Sequence, residues 1–544
     1  MNLSHHLDSI RNTTSLKQAL QRLARGDNAT MVDMPEATRA VIAAASATQL
    51  GGRVLVLTSR RDRADQLHGA LSEYLPPDVT LERWQSPDAI PYEQLPVDIE
   101  ASVQRTRILA NMMVKQDGPW VLVAPVSALM QLLMGPSELK DHSLDIRIGT
   151  EIRIDDVVHW ATSVGYQVNP MVQEPGTLAR RGGIVDVFPP GFEEPVRIDF
   201  FGDEVESIRH FSLHTQRSTQ KLKRIRLLPP LELPTWRLPD IADELAALDD
   251  STLRPEVHDE WTRLVDQARQ GVVPMSLDLF GGHLIPGCST LLNYMPAGTT
   301  VVVDEPASVA LAAEQLERKA EELERTFIES GELPSGLAKP YKQASAVMDE
   351  LRTFRTLNLG GEAGSEENVL SLEVLSDPPV FGGRALDMVA DLRQRLQRGW
   401  RISIATDQVE RLTDILRENN VFPRTTDRAS ETVEPLPAGT VEIVPSDLVA
   451  GWSWNRGKSA VWTDFEIFGF RKQPRRTSKR TASEGRAFAA SLQPGEHVVH
   501  VDHGISKFVG LVRRESGGIE REYLQLEFQK GEKLYVPVDQ SDRV

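Results

Sequence analysis

The chain has 544 residues, 61 Lys and Arg against 78 Asp and Glu for a net charge of −17, and 40 % hydrophobic with 26 % charged residues. This is the make-up of a soluble globular protein too long for one hydrophobic core, so about three to five domains are expected. An acidic balance excludes a chain that coats nucleic acid non-specifically, a single cysteine, Cys288, excludes an internal disulfide framework and a Cys-based metal site, and without an apolar run of bilayer length or a signal peptide's apolar segment the expectation is a cytoplasmic protein with no membrane contact.

Residues 29–74 predict strand, helix, strand, helix. ATMVDM is β-like, 38–50 is an Ala-rich helix closed by Gly51 and Gly52, RVLVLTS is a buried parallel-type strand, and 63–74 is amphipathic. That order opens a nucleotide-binding fold. The loop meant to cradle phosphate, Asp33-Met34-Pro35-Glu36-Ala37-Thr38-Arg39, has no Gly to bring backbone amides close and no Lys to reach phosphate, so no nucleotide, metal or other cofactor site and no catalysis are expected here.

Residues 180–211, RRGGIVDVFPPGFEEPVRIDFFGDEVESIRHF, carry the strongest pattern. Residues 184–188 and 196–201 are β-prone runs bounded by Gly and Pro turns, which predicts an antiparallel meander. Alternation puts Val196, Ile198 and Phe200 on an apolar face and Arg197, Asp199 and Phe201 on the other. Arg beside an exposed Phe is interface chemistry; the spacing also fits an Arg197–Asp199 surface ion pair with Phe201 under a loop.

Further along, His283 and Cys288 read as loop residues, because a catalytic thiol needs a His or an electropositive pocket. TVVVDEP at 300–306 has the form of a Walker B strand, but with no P-loop to serve, Asp304 and Glu305 read as its polar cap. Residues 307–355 predict a charged helical arm with a short apolar stripe, and GGEAGSEEN at 360–368 is linker-like. An alternating α/β pattern follows. Inside it Gly451-Trp-Ser-Trp-Asn-Arg-Gly457-Lys458-Ser459 imitates a P-loop, but five residues separate its glycines and it opens a strand. The basic run 471–486 fits a solvated linker or a DNA-tracking segment without stacking aromatics. HVVHVDH, ISKFVGLVRR, EYLQLEF and KLYVPV predict a small SH3- or Tudor-like β-barrel. His500, Asp502 and His503 offer too few ligands on one side for a metal and fit a turn.

The 180–211 string resembles the signature of a module shared by the excision-repair protein UvrB and the transcription-repair coupling factors: an Arg-Gly before a strand ending Phe-Pro, then R-[IVL]-[DE]-F-F-x-D-E-[IV]-[ED]-S-[IL]-R. In that family the module docks onto UvrA, and the matching contact positions are Arg181, Arg197 and Phe201. WQSPDAIPYEQLP from Trp84, VLVAPVSALMQ from Val121 and the strand AVWTDFEIFG resemble further segments of the coupling factors, whose nucleotide fold has likewise lost its P-loop. GEHVVHVDHGI and EYLQLEF with KLYVPV resemble their CarD-type domain, which implies contact of Leu511, Val512, Arg513 and Arg514 with the β subunit of RNA polymerase.

The resemblance implies an α/β multidomain architecture: a degenerate P-loop or RecA-like domain at 1–125, an inserted α+β module for UvrA at 126–215, a closing part with the helical arm at 216–356, a linker at 357–378, a small α/β domain at 379–470, a basic linker at 471–490 and a CarD-type barrel at 491–544. It implies the N-terminal adaptor half of a transcription-coupled repair factor, without enzymatic activity of its own. Family members continue into an ATP-driven translocase, where ATP, Mg and double-stranded DNA are expected. A UvrB-like ATPase that loads on damaged DNA would need a P-loop near Asp33, and a CarD-like transcription regulator would explain only the last fifty or so residues.

Overall fold

The computed structural model describes residues 3–87, 91–93, 97–114, 118–213, 215–361, 369–371, 375–425, 436–469, 495–500, 504–516, 519–527 and 533–537. The basic run 471–486, Asp502 and His503 lie outside them. Two compact units form, residues 1–472 and 473–544, and no helix among the described residues is long and apolar enough to cross a membrane.

At the centre of the first unit is a seven-stranded sheet in the order Val369–Ser371, Ala29–Val32, Arg355–Leu359, Thr300–Asp304, Arg53–Thr58, Trp120–Pro125 and Thr80–Arg83. Every pairing is parallel. The continuous apolar runs RVLVLT, WVLVAP and TVVVD suit strands buried on both faces. Alternate residues feed two cores: Val54, Val56, Val121, Val123 and Val302 join one cluster, and Leu55, Leu57, Leu122, Ala124, Val301 and Val303 the other. Two of these strands, Arg355–Leu359 and Val369–Ser371, fall within or overlap the segment expected to be linker.

The charged arm packs more extensively than its sequence suggested. A helix runs over Pro306–Glu329, and Val309, Ala313, Leu316, Ala320, Leu323 and Phe327 all join the larger core. Their alternating spacings of three and four make a stripe along nearly the whole helix, so the many Glu and Arg residues occupy only its outer sides.

A module is inserted where Leu144–Arg147 pairs antiparallel with Arg224–Leu227, so the chain enters and leaves side by side. Between them lies a six-stranded sheet in the order Ser218–Leu222, Glu204–Phe211, Val196–Phe201, Ile184–Val187, Thr177–Arg181 and Gln167–Val168. Its inner face, with Val185, Val187, Val196, Ile198 and Phe200, packs on Val157 and Ala161 of the helix Ile154–Ser163. Just past the exit, Glu232 is 3 % exposed and accepts from Arg105 Nε at 2.7 Å and from Gln131 Nε2 at 2.9 Å.

The small α/β domain has the sheet order Leu375–Ser376, Trp452–Trp454, Ser459–Thr463, Arg401–Thr406, Thr440–Pro445 and Arg424–Thr425. Its Ala405, Val444, Leu448, Trp452, Trp454 and Val461 share a cluster with the first domain's helices, and Trp452 Nε1 donates to Tyr74 Oη at 3.1 Å. The P-loop imitation is the hairpin between two of these strands. A Cβ on Gly457 would stand 2.0 Å from the Trp454 ring, so this glycine is required by packing.

The second unit is an antiparallel meander of His497–His500, Gly504–Ser516, Ile519–Glu527 and Lys533–Pro537. Among the described residues it is an open four-stranded sheet rather than the closed barrel expected: the outer two strands pair only with their neighbours in sequence. Its small core holds Val498, Phe508, Leu524, Leu526 and Val536.

The carboxyl of Asp278 is pushed up to about 6, first by burial and then by the charge of Glu232, with Arg105 opposing. A folded value above that of an unfolded aspartate stabilises the fold fully below about pH 4, and the contribution is lost as pH rises through about 6. Asp278→Asn is therefore expected to raise stability at pH 7.5 by about 1–3 kcal/mol and to gain little at pH 4. Urea denaturation of both proteins at the two pH values checks this, and a difference independent of pH contradicts it.

Candidate docking surfaces

The strand Val196–Phe201 buries Val196, Ile198 and Phe200 and turns Arg197, Asp199 and Phe201 to the outer face, as alternation predicts. Register extends that face across the sheet: Ala179, Asp186, Arg197 and Arg209 form one cross-strand row, and Arg181, Ile184, Asp199 and Ser207 the next. The three positions expected to meet UvrA therefore share one face.

Arg197 is not paired with Asp199. Its Nε and Nη2 donate to Asp186 Oδ1 at 2.7 Å and Oδ2 at 2.8 Å, and its guanidinium lies 4.6 Å from the centroid of the Phe211 ring. Asp186 stands directly opposite on the neighbouring strand, whereas Asp199 is two residues along the same strand and bonds to Arg209 and Ser207. The Asp186 hydrogen bond, outweighing burial, holds the Arg197 guanidinium above its ordinary range. Arg181 is exposed and donates to the Pro170 carbonyl at 3.2 Å. Phe201 is 79 % exposed and lies under no loop.

The corner expected to have lost its phosphate cradle is filled from within. Asp304, its side chain 4 % exposed, accepts from Arg39 Nη1 at 3.1 Å and from Arg63 Nε at 2.7 Å. Arg39 also pairs with Glu305, and Arg63 with Glu36. Burial alone would lower the Arg63 guanidinium, but the hydrogen bond and charge of Asp304 raise it overall. Glu305 adopts a left-handed backbone with φ 58°. Gly360 lies close against this network: a Cβ there would stand 2.9 Å from Glu305 Oε1 and 3.0 Å from Arg39 Nη2. Reading the sequence as a capped strand end located Asp304 but missed Arg39 and Arg63, which lie 265 and 241 residues away. Two Arg residues at the starts of consecutive helices, facing a strand ending in Asp-Glu, were the available signal.

In the second unit, Leu511, Val512, Arg513 and Arg514 lie on the strand Gly504–Ser516 and pair with Leu524, Tyr523, Glu522 and Arg521. The strand is not an edge along its whole length: residues 504–507 also pair with His497–His500. Phe508 still exchanges backbone hydrogen bonds with Gly495 and Glu496, and from Val509 to the strand's end, past a register shift between Phe508 and Gly510, no second strand flanks it among the described residues. Leu511 is 45 % exposed there. His283 bridges Glu244 Oε2 at 3.2 Å and the Ala338 amide at 3.1 Å, and Cys288 is exposed.

Residues 144–232 match the UvrB interaction domain family, and residues 492–544 match the CarD-like/TRCF RID domain family. The matched module starts at the strand pair through which the insertion enters, later than the expected 126, and continues past 215. Over 93 % of its length the chain is 26 % identical to a transcription-repair-coupling factor of Bacillus subtilis, over 96 % it is 27 % identical to that of Myxococcus xanthus, and over 98 % it is 28 % identical to that of Escherichia coli. It spans 44 %, 46 % and 45 % of those proteins, somewhat under half of each.

Asp304→Ala leaves Arg39 and Arg63 without their shared carboxylate in a site where their side chains are 11 % and 16 % exposed. Removing one member of a buried ion pair typically costs about 3–5 kcal/mol, and that loss is expected in urea unfolding of the first unit. A change below about 1 kcal/mol, typical of a surface pair, contradicts a structural role for the network.

Proposed function

We propose that this chain, similar along nearly its whole length to transcription-repair-coupling factors, is the partner-recruiting part of such a factor. It brings UvrA to RNA polymerase stalled on DNA: the inserted module takes UvrA, and the C-terminal sheet takes the polymerase β subunit. On this reading the first unit carries no nucleotide chemistry and serves as scaffold. The translocase, with its ATP, Mg and double-stranded DNA, belongs to the part of the relatives that this chain does not span. The protein acts in the cytoplasm.

The observation that carries the reading is Phe201, 79 % exposed beside a fixed Arg197 on the face that also holds Arg181, within residues matching the UvrB interaction domain. An aromatic and an arginine at the centre of a patch are the residue types that dominate binding energy. Arg197 is already held by two hydrogen bonds and a ring, so binding freezes little further side-chain freedom. For the polymerase contact, the support is the side of the strand from Val509 to its end that no second strand covers among the described residues, where another strand can add by backbone hydrogen bonds while flanking side chains set specificity. The basic pair Arg513 and Arg514 adds charge complementarity that weakens with salt.

Phe201→Ala is the cleaner test of the UvrA face, because Arg197→Ala also strands Asp186, itself 3 % exposed. Truncating a central aromatic typically costs about 2 kcal/mol, so UvrA affinity is expected to fall about 30-fold with an unchanged melting temperature. Unchanged affinity removes Phe201 from the interface. For the polymerase, Val512→Pro and Arg513→Glu are each expected to reduce capture of the β subunit by the full chain, with circular dichroism preserved. Full retention in both variants places that contact on another face of the sheet.

A further inference from the structure

His5 and His6 begin the N-terminal helix region, with ring centroids 4.2 Å apart, and reach three neighbouring interior strands of the small α/β sheet at Ser459, Ser403 and Glu442. Ser403 and Glu442 stand opposite each other there, on the parallel strands Arg401–Thr406 and Thr440–Pro445. Three donor atoms, one each from His5, His6 and Glu442, lie within 4.8 Å of one another. His5 Nε2 is 3.2 Å from Glu442 Oε1, and His6 Nε2 is 2.8 Å from Ser403 Oγ, which donates to Glu442 Oε1 at 2.5 Å. His6 Nδ1 lies 2.9 Å from Ser459 Oγ.

This polar group is closed off from water. His6 is 2 % and Glu442 7 % exposed, and the His5 side chain is 4 % exposed. Two features are left over. His5 Nδ1 is buried with no hydrogen-bond partner, and among the described residues no Lys or Arg forms an ion pair with Glu442, whose only such partner is His5. A carboxylate taken out of water is costly unless a cation compensates it.

We propose that His5, His6 and Glu442 form a binding site for a Zn2+-class divalent cation that fastens the N-terminal helix to the small α/β domain. Two imidazoles and one carboxylate, with water as a fourth ligand, are a donor set that suits zinc. As the network stands, Ser403 donates to Glu442, so its oxygen takes the His6 Nε2–H and Ser459 donates to Nδ1; with an ion on Nε2 the Ser459 oxygen instead accepts from Nδ1–H, the part that outer hydrogen-bond partners play at metal histidines. The Ser403 hydroxyl sits among the three donor atoms, within 2.8 Å of His6 Nε2 and 3.5 Å of His5 Nε2, and must turn aside for an ion to enter.

The test uses the full chain, stripped with a chelator and dialysed against Zn2+. The expected result is one Zn2+ retained per chain and a higher melting temperature than the stripped protein. Glu442→Gln and His5→Gln are each expected to weaken binding at least about tenfold while circular dichroism stays native. Co2+ in place of Zn2+ is expected to give the visible bands of a four- or five-coordinate ion, lost in both variants. Ser403→Ala keeps all three ligands and should bind at least as tightly. The proposal is overturned by substoichiometric retention, by binding unchanged in both ligand variants, by loss in Ser403→Ala, or by loss in Cys288→Ser, which would put the ion on the exposed thiol.

Discussion

Asp304 divides its carboxylate between Arg39 and Arg63, which start the two helices after the first and second strands of the large parallel sheet. The crevice at the carboxyl ends of such strands is where open α/β sheets ordinarily hold ligands. Here guanidinium groups of the chain itself occupy it, with Glu36 and Glu305 balancing them. The same ion pairs join the central strand to two helices that pack in one core cluster, and give the sheet a fixed corner. On the reading proposed above, a fold built to move around a nucleotide has become a rigid mount for the surfaces it carries.

Those surfaces follow the same logic at smaller scale. The inserted module leaves the scaffold through one antiparallel strand pair, so its six-stranded sheet can present a face without disturbing the core. On that face Arg197 is immobilised by Asp186 and Phe211, whereas Phe201 has no cover. One side chain is prepaid in entropy and the other in exposed apolar area, a pairing that suits a docking patch. The C-terminal sheet presents backbone instead: half of its longest strand lacks a neighbour among the described residues. On the reading proposed above, the different chemistry of the two surfaces suits two different partners.

Local patterns were legible in the sequence. Alternation placed Arg197, Asp199 and Phe201 on one face, the apolar runs identified the parallel strands, and residue spacing showed the Gly451 to Ser459 string to be no phosphate loop. Pairing across distance was not legible. Arg197 meets Asp186 because two strands align in register, and adjacency along the strand suggested Asp199 instead. The Asp304 network and the contacts of His6 with Ser403 and Ser459 join residues more than 200 positions apart, which no periodicity encodes. The helix Pro306–Glu329 was misjudged because abundant charge on its outer sides masked a continuous apolar stripe. Short strands with Gly-rich turns suggested a barrel, but closure depends on pairing between the first and last strands, and strand content does not fix that.

Assembly of both partners on one molecule tests the adaptor account most directly. Purified chain, UvrA and RNA polymerase are mixed without nucleotide and resolved by size-exclusion chromatography with mass detection. The account predicts a single species containing all three, formed although no ATP is present and absent when the chain is left out. Formation of the two binary complexes but never the ternary one, or a requirement for ATP hydrolysis by this chain, would contradict it.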